Sequence, residues 1–308
     1  MMYVWLLVGF VLLIKGADFF VEGSSSVAKL LRVPSVIIGL TIVAFGTSAP
    51  EAAVSITAAI AQKNEIAVGN VIGSNIFNLL VVVGACALIM PMPIDKKILW
   101  KDYPFSLVIT AVLMGMMLLD LKVGRLDGIV LLLFFAYFLF RTVQHALQNR
   151  TEEAGEEVKV LTPTRSVLYI AVGIVAIVLG GDLVVDSASE IAAAFGLSQT
   201  LIGLTIVAMG TSLPELVTSL VAAGKGENEL ALGNVVGSNI FNILFVLSMS
   251  SVISEIPVQM ESVFDVAILL VFSVITWVFC KTSYQVKRLE GACMLLLYAG
   301  YMVYIILR

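Results

Sequence analysis

The chain contains two closely similar copies of one segment that carries polar residues, 164 residues apart. The segment GLTIVAFGTSAPE at residues 39–51 returns as GLTIVAMGTSLPE at 203–215, and GNVIGSNIFN at 69–78 returns as GNVVGSNIFN at 233–242. Aligned at this offset without gaps, residues 39–78 match residues 203–242 at 26 of 40 positions. Many of the matches are polar, so the sequence predicts two copies of one polar site.

Composition places both copies in a membrane. Apolar residues make up 60% of the 308 positions and charged residues only 13%, and several apolar stretches reach about 20 residues, the length that crosses a bilayer. The sequence therefore predicts an all-α integral membrane protein with ten transmembrane helices. The predicted spans are approximately 3–28, 34–61, 66–90, 103–121, 126–147, 165–190, 198–223, 229–253, 262–280 and 286–307.

The basic residues predict how these spans are oriented. With the spans above, thirteen Lys and Arg residues fall on one face and four on the other. The positive-inside rule places the thirteen in the cytoplasm, so both termini are predicted to lie outside. The thirteen are Lys29, Arg32, Lys96, Lys97, Lys101, Arg141, Arg150, Lys159, Arg165, Lys225, Lys281, Lys287 and Arg288, and the four are Lys63, Lys122, Arg125 and Arg308.

Five predicted spans separate each residue of the first copy from its repeat. Because five is odd, the second copy crosses the membrane in the opposite direction, as in the inverted repeats of secondary transporters, whose two copies meet at one site near the midplane. We predict two inverted five-helix repeats, residues 1–147 and 165–308, joined by a cytoplasmic linker, residues 148–164. The glutamates at 152, 153, 156 and 157 are interpreted as part of a solvated linker.

Two glutamates within the spans mark the candidate site. A carboxylate at the centre of a spanning helix costs at least about 2.5 kcal/mol, and helix packing does not require one. Thr47 and Ser48 share a helix face with Glu51, and Ser74 shares one with Asn78 in the next span. The second half repeats this set as Thr211, Ser212, Glu215, Ser238 and Asn242.

The chemistry of these side chains indicates a hard cation. Carboxylate, hydroxyl and amide oxygens suit calcium, magnesium, manganese or alkali ions and argue against zinc or copper. Pro50 and Pro214 cannot donate a backbone N–H and clash with the carbonyl four residues back, so both helices are predicted to kink there. An opened turn frees backbone carbonyls, for instance those of Ala44 and Ala208, to act as ligands.

Other polar and small residues in the repeats have structural interpretations. Asn75 and Asn239 point about 100° away from the neighbouring serines and are interpreted as supporting residues. The small residues that repeat at a spacing of four are interpreted as helix-packing positions; they are Gly69, Gly73, Gly233 and Gly237. Acidic residues also recur at the repeat offset in the first helix of each half, where they could line an ion pathway or lie near a membrane interface. Asp18 aligns with Asp182, and Glu22 aligns with Asp186. Lys15 is expected to pair with Asp18 or to snorkel.

Several function classes find no support in the sequence. Cys86, Cys280 and Cys293 have no metal-binding or redox spacing, and His145 is the only histidine. Walker and nucleic-acid signatures are absent, and the net charge is −4. We therefore predict no enzyme activity, no cofactor, no nucleic-acid partner and no obligate protein partner.

The paired motifs GTSxPE and GSNIxN resemble those of the cation/calcium exchanger superfamily, specifically its prokaryotic sodium/calcium antiporter branch. The resemblance covers essentially the whole chain and implies ten helices, with the second, third, seventh and eighth around the ions and the first and sixth sliding to switch access. It implies ion ligands at Thr47, Ser48, Glu51, Ser74, Asn78, Thr211, Ser212, Glu215, Ser238 and Asn242, and carbonyl ligands at Ala44 and Ala208.

One position departs from the best-known exchangers, which usually carry Asp where this chain has Asn242. Two carboxylates match one Ca²⁺ or two Na⁺, which argues against three Na⁺ per Ca²⁺. The resemblance predicts a Ca²⁺/Na⁺ antiporter that works by alternating access in the bilayer of a prokaryotic plasma (inner) membrane and exports calcium. Exchange of Ca²⁺ or another divalent cation for H⁺ is the alternative. A cation channel and an intramembrane enzyme are disfavoured, by the opposed repeats and by the lack of catalytic groups.

Overall fold

The computed structural model describes residues 2–148, 161–196 and 208–307, and these residues are almost entirely helical. The α-helices are α1 (Met2–Leu31), α2 (Ser35–Ile38), α3 (Ala44–Thr47), α4 (Ala49–Ile60), α5 (Asn64–Phe77), α6 (Val83–Ile89), α7 (Tyr103–Asp120), α8 (Arg125–Gln148), α9 (Pro163–Ala194), α10 (Ala208–Gly210), α11 (Leu213–Gly224), α12 (Asn228–Phe241), α13 (Ser248–Ile253), α14 (Met260–Ser283) and α15 (Arg288–Leu307). Wider π-helical turns occupy Gly39–Val43, Asn78–Val82, Ile98–Asp102 and Asn242–Leu247.

Within the described ranges, eight helices are long and apolar enough to cross a membrane. A ninth candidate is the pair Ser35–Thr47 and Ala49–Ile60, which bends by 49° at its break. The outer surfaces of the long helices are apolar, with Leu119 83% exposed and Leu126 78% exposed, as expected where helices face lipid. The predicted span 198–223 lies partly outside the described residues; only its last part, from Ala208 onward, is described.

Two of the spans form the centre of the molecule. In an 18-residue apolar stretch of the span Asn228–Ile253, 94% of the residues are buried; the share is 72% in the span Asn64–Ile89 and 17% in Arg288–Leu307. These central spans carry the GSNIxN motifs, so the polar sequence lies in the most protected part of the protein. The buried apolar residues around them include Val71, Ile76 and Leu80.

The long helices α1 and α9 pack closely along their lengths, because glycines lie where they meet. A Cβ built on Gly16 would lie 2.9 Å from the backbone nitrogen of Ile177, and one on Gly173 would lie 2.8 Å from that of Phe20. Gly9 and Gly180 approach each other in the same way. Helix α9 begins at Pro163, after Thr162, whose hydroxyl accepts a hydrogen bond from the backbone N–H of Arg165.

Four two-residue strands, which the sequence did not predict, join loops of the two halves. Strand β1 (Met92–Pro93) pairs antiparallel with β4 (Gln285–Val286), and β2 (Lys122–Val123) pairs antiparallel with β3 (Ile256–Pro257).

Several predicted boundaries shift in the structure. The first span extends to Leu31, the fourth begins as a π-helical turn at Ile98, and the sixth extends from Pro163 to Ala194. The predicted linker 148–164 overlaps α8 at Gln148 and α9 from Pro163 onward, and residues 149–160 lie outside the described part. The predicted split into residues 1–147 and 165–308 stays a prediction.

The glycine-packing prediction holds for one repeat. A Cβ on Gly233 would lie 2.7 Å from the carbonyl oxygen of Val36, and one on Gly237 would lie 2.7 Å from that of Leu40. The equivalent Gly69 and Gly73 meet nothing within 4 Å among the described residues. The repeat-equivalents of Val36 and Leu40, at 200 and 204, fall outside the described ranges.

Candidate cation site

A break in the helix positions each of the two intramembrane glutamates. Helix α3 ends at Thr47, Ser48 has a non-helical backbone with φ −83° and ψ 11°, and Glu51 lies in the first turn of α4. Proline explains the break, because Pro50 cannot donate to the carbonyl of Gly46. The same occurs at Ser212, with φ −93° and ψ 5°, ahead of α11 and its first-turn Glu215. The predicted kinks are confirmed.

The two carboxylates are held by serines of both halves. Glu215 Oε1 accepts from Ser48 Oγ at 2.7 Å and from Ser238 Oγ at 3.4 Å. Glu51 Oε1 accepts from Ser212 Oγ at 3.0 Å and from Ser74 Oγ at 3.4 Å.

The serine contacts join the two repeats into one cluster. One serine on each carboxylate comes from its own half and the other from the opposite half. All six side chains are at most 1% exposed; they are Ser48, Glu51, Ser74, Ser212, Glu215 and Ser238.

The second oxygen of each carboxylate has no partner. Glu51 Oε2 and Glu215 Oε2 are buried without a hydrogen bond to any described residue, and neither glutamate forms an ion pair with one. The amide oxygens of Asn78 and Asn242 are also buried and unpartnered. Buried acceptors in folded proteins are almost always satisfied. Four open acceptors at repeat-equivalent positions therefore mark a place suited to a cation.

The two asparagines of the site begin π-helical turns. Asn78 opens the turn Asn78–Val82 at the end of α5, and Asn242 opens Asn242–Leu247 at the end of α12. Such wide turns within α-helices occur frequently at functional sites. The sequence analysis predicted a distortion at the prolines and did not predict these turns.

The structure adds two residues that the sequence analysis missed, Asn70 and Asn234. Asn234 Oδ1 lies 3.0 Å from Thr47 Oγ1, and Asn70 Oδ1 lies 3.3 Å from Thr211 Oγ1, so each asparagine contacts the threonine of the opposite half. Their amide nitrogens donate to serines beside the glutamates, Asn70 to Ser55 at 2.9 Å and Asn234 to Ser219 at 3.0 Å.

A signal for these residues was present in the sequence. Asn70 lies four residues before Ser74 and Ser55 four residues after Glu51, on the same helix faces as the site, and both recur in the repeat.

The predicted carbonyl ligands differ in their surroundings. The carbonyl oxygen of Ala44 accepts the backbone N–H of Ser48 at 3.0 Å, so the prediction that the kink frees it is wrong. The break leaves the Gly46 carbonyl without its usual donor instead, because that donor would be Pro50. In the second half, Ser212 N–H bonds to the carbonyl of Met209 at 3.2 Å.

The two sides of the carboxylate pair differ in exposure. Thr47 and Asn234 on one side are fully buried, whereas Thr211 and Asn70 on the other side are only partly buried. The surroundings of Glu51 and Glu215 are thus closed more tightly at the Thr47 end.

The aligned acids of the first helices lie apart from this cluster. Asp18 pairs with Lys225 at 3.0 Å and with Lys15 at 3.5 Å, which confirms the predicted contact of Lys15. Glu227 pairs with Lys29 at 3.7 Å and accepts a hydrogen bond from Ser25. These contacts attach α1 to the turn between α11 and α12. No ion pair of Asp182 occurs among the described residues.

The architecture and the cluster define a polytopic helical membrane protein with a buried group of oxygen-bearing side chains between two sequence repeats. The profile of the family described as sodium/calcium exchanger protein matches residues 1–144 and 165–307. The chain therefore belongs to the sodium/calcium exchanger family.

Individual relatives agree with the family match. The chain is 34% identical over 347 residues to the sodium/calcium exchanger MaX1 of Methanosarcina acetivorans, covering 97% of this chain and 96% of that protein. It is 33% identical over 312 residues to the inner membrane protein YrbG of Escherichia coli, covering 97% and 94%. A solved structure of the sodium-calcium exchanger NCX_Mj superposes with a TM-score of 0.86 at 33% identity, covering 98% of this chain and 97% of that one.

Proposed function

We propose that the chain is a secondary antiporter that exchanges Ca²⁺ for Na⁺ across the membrane, with the cations bound between Glu51 and Glu215. The observation that carries this proposal is the set of four buried, unpartnered oxygens on Glu51, Glu215, Asn78 and Asn242. Calcium takes six to eight oxygen ligands of this kind. The names of MaX1 and NCX_Mj, both sodium/calcium exchangers, support the same ion pair.

The proposed ligands are the residues at which both repeats converge. The carboxylates supply the charge, Asn78 and Asn242 supply amide oxygens, and the hydroxyls complete the shell. The hydroxyl ligands are Thr47, Ser48, Ser74, Thr211, Ser212 and Ser238, and the proposed carbonyl ligands are Ala44 and Ala208. The Ala44 carbonyl already accepts the Ser48 N–H and would bind the cation through its second lone pair. A hydroxyl oxygen that donates its proton to a carboxylate keeps lone pairs for a cation.

Exchange requires that the site open to one side of the membrane at a time. We propose that ten transmembrane spans, arranged as two inverted repeats, allow this alternating access. The partly buried Thr211 and Asn70 lie on the predicted outer side of the glutamates, and the fully buried Thr47 and Asn234 on the predicted cytoplasmic side. This difference in burial supports a state that is closed toward the predicted cytoplasmic side. Access would switch when α1 and α9, which pack through their glycines, move together against the core.

The charge of the two carboxylates explains why the transport of one ion would be coupled to that of the other. No Lys or Arg neutralises Glu51 or Glu215 among the described residues, so the empty site holds two uncompensated buried charges, which is unfavourable. Loading with one Ca²⁺ or two Na⁺ neutralises it. The site would therefore reorient when loaded, which is what antiport requires, and an inward sodium gradient would drive calcium out of the cell.

A second candidate is exchange of Ca²⁺ for H⁺. The same observation favours it, since two buried carboxylates near each other can also be neutralised by protons. Sodium is preferred because the site is rich in hydroxyl oxygens, which ligate an alkali ion and are not needed to bind a proton.

The proposed location is the plasma membrane of a prokaryotic cell, with both termini outside. The basic-residue asymmetry supports the orientation, and the name of YrbG, an inner membrane protein, supports the location.

The test is uptake of radioactive calcium into proteoliposomes loaded with either Na⁺ or an excess of H⁺. An outward Na⁺ gradient is expected to drive uptake, and a pH gradient alone is expected to drive none. Uptake that follows the pH gradient without Na⁺ would establish the second candidate instead. Uptake at equal rates without any counter-ion would contradict antiport altogether.

A further inference from the structure

Three asparagines beside the proposed site form a network whose amide orientations are fixed. Asn75 Nδ2 donates to the carbonyl oxygen of Asn239 at 3.2 Å, and Asn239 Nδ2 donates to that of Asn75 at 3.2 Å. Side-chain amide orientation is ordinarily assigned from the surrounding hydrogen bonds. Here it is determined, because a backbone carbonyl only accepts and the atom facing it must be the NH₂ group.

The orientation of Asn75 determines that of Asn242. With its nitrogen on the Asn239 carbonyl, Asn75 presents Oδ1 to Asn242, which donates to it from Nδ2 at 3.1 Å. This leaves Asn242 Oδ1 on the other side of the amide, buried and without a partner. The only group of Asn242 available to a cation is thus its oxygen.

We propose that Asn75 is a positioning residue of the ion site, which holds the Asn242 oxygen toward the cation and selects a neutral amide at position 242. An ionised carboxylate is an acceptor only. A carboxylate at position 242 would place a negatively charged oxygen against Asn75 Oδ1. The Asn75 amide cannot rotate to avoid this repulsion without breaking its hydrogen bond to the carbonyl oxygen of Asn239. The proposal rests on the proposed function, and it identifies the residue that keeps the charge of the site at two.

The repeat supplies a matched comparison. Asn239 is the repeat-equivalent of Asn75, and Asn78 that of Asn242, but the equivalent bond is not formed: Asn78 Nδ2 and Asn239 Oδ1 are both buried and unpartnered. Asn239 therefore anchors Asn75 without orienting a ligand in this structure. A variant at Asn239 disturbs the same contact between Asn75 and Asn239 but retains Asn75 Oδ1, the oxygen that faces Asn242.

The test is a double-mutant cycle on calcium binding to the purified, monodisperse protein, measured by titration calorimetry. Asn75→Leu, which keeps the branched shape of the side chain, is expected to weaken calcium binding by about two- to tenfold, because the freed Asn242 amide also presents its NH₂ group. Asn242→Asp is expected to weaken it by about tenfold or more, despite the added charge. In the Asn242→Asp background, Asn75→Leu is expected to strengthen binding, since it removes the opposing oxygen. Asn75→Ala replaces Asn75→Leu if the latter does not fold.

The effect of Asn75→Leu on calcium affinity is therefore expected to change sign between the native and the Asn242→Asp backgrounds. A purely structural role of Asn75 would instead weaken binding in both. The proposal is overturned if Asn75→Leu weakens Asn242→Asp further, if Asn242→Asp alone binds calcium more tightly, or if Asn239→Leu rescues Asn242→Asp equally well. Glu51→Gln distinguishes the two proposals. Loss of binding in Glu51→Gln together with an inert Asn75→Leu refutes the positioning role alone, whereas native binding in Glu51→Gln refutes the ion site itself.

Discussion

At the scale of single residues, the glutamates combine two features that are rarely stable together. Both carboxylates are fully buried, and each is satisfied on one oxygen by two serines and left open on the other. The serines offset part of the cost of burial, and the open oxygens leave the remaining negative charge of each carboxylate without a partner among the described residues.

The residue-scale prediction concerns these two charges. Glu51→Gln and Glu215→Gln preserve side-chain volume and remove one charge from a divalent site. We expect each to reduce calcium exchange by about a hundredfold or more, since unpairing a buried charge costs about 3–5 kcal/mol. Initial rates of radioactive calcium uptake measure the effect. Glu65→Gln, outside the site, is the matched control and should transport normally. Near-native exchange by either site variant would refute the ligand assignment.

Much of the site was predictable from sequence because helix periodicity is local. The shared faces of Ser48 with Glu51 and of Ser74 with Asn78 follow from spacing, and the breaks at Ser48 and Ser212 follow from the prolines. The crossed pairing, in which Ser48 bonds Glu215 and Ser212 bonds Glu51, depends on how two distant segments interlock. Spacing within one helix contains no information on that. The spacing of Asn70 and Asn234 does place them on the same helix faces as the site, but their contacts with the threonines of the opposite half depend on the same interlocking.

At the scale of elements, the helices that carry the proposed ligands are interrupted, whereas those proposed to move are continuous. The segments with the proposed ligands break at Ser48 and Ser212 or widen into π-helical turns at Asn78 and Asn242. Helices α1 and α9 run for 30 and 32 residues without a break. A continuous helix pair can shift as a unit, while broken helices expose backbone and side-chain oxygens to an ion.

The element-scale prediction tests the close contact of α1 with α9. Gly16→Ala adds a Cβ that would lie 2.9 Å from the backbone nitrogen of Ile177, so the helices must separate. We expect a loss of about 1–3 kcal/mol of stability from overpacking, measured as a lower unfolding temperature in detergent. Gly115→Ala is the control, because its Cβ meets no described residue within 4 Å and alanine favours helix; it should be neutral or stabilising. Equal effects of the two variants would contradict the packing account.

At the scale of the whole molecule, the short strand pairs agree with the predicted sides of the membrane. Strands β1 and β4 join two loops predicted to be cytoplasmic, and β2 and β3 join two predicted to lie outside. Asn64 donates to the carbonyl of Glu255 at 2.7 Å, again between two loops predicted to lie outside. Among the described residues, no contact of this kind crosses from one predicted side to the other.

The topology prediction places residue 153 in the cytoplasm and residue 122 outside. Cysteines introduced at Glu153 and at Lys122 should react with an impermeant thiol reagent from opposite sides of the membrane. The background should carry Cys293→Ser, because Cys293 is exposed while Cys86 and Cys280 are buried. If one side labels both positions, the inverted repeat is wrong.

The charge of the site predicts how exchange responds to voltage. Two carboxylates exchanging two Na⁺ for one Ca²⁺ move no net charge, whereas three Na⁺ would move one, worth about 2.3 kcal/mol per 100 mV. Calcium uptake by the native protein should therefore respond only weakly to potentials clamped with valinomycin. A steep dependence would show that a further ion travels with the two Na⁺ and that Asn242 does not set the charge count.

The most direct measurement of the central claim, that both repeats share one cation site, is a crystal structure determined with bound calcium. We predict density for Ca²⁺ between Glu51 and Glu215, with oxygens of both glutamates and of Asn78 or Asn242 about 2.3–2.6 Å from the ion. Crystals of Glu51→Gln grown under the same conditions should lack that density. Calcium bound through the residues of one repeat alone, or density unchanged in Glu51→Gln, would contradict the account.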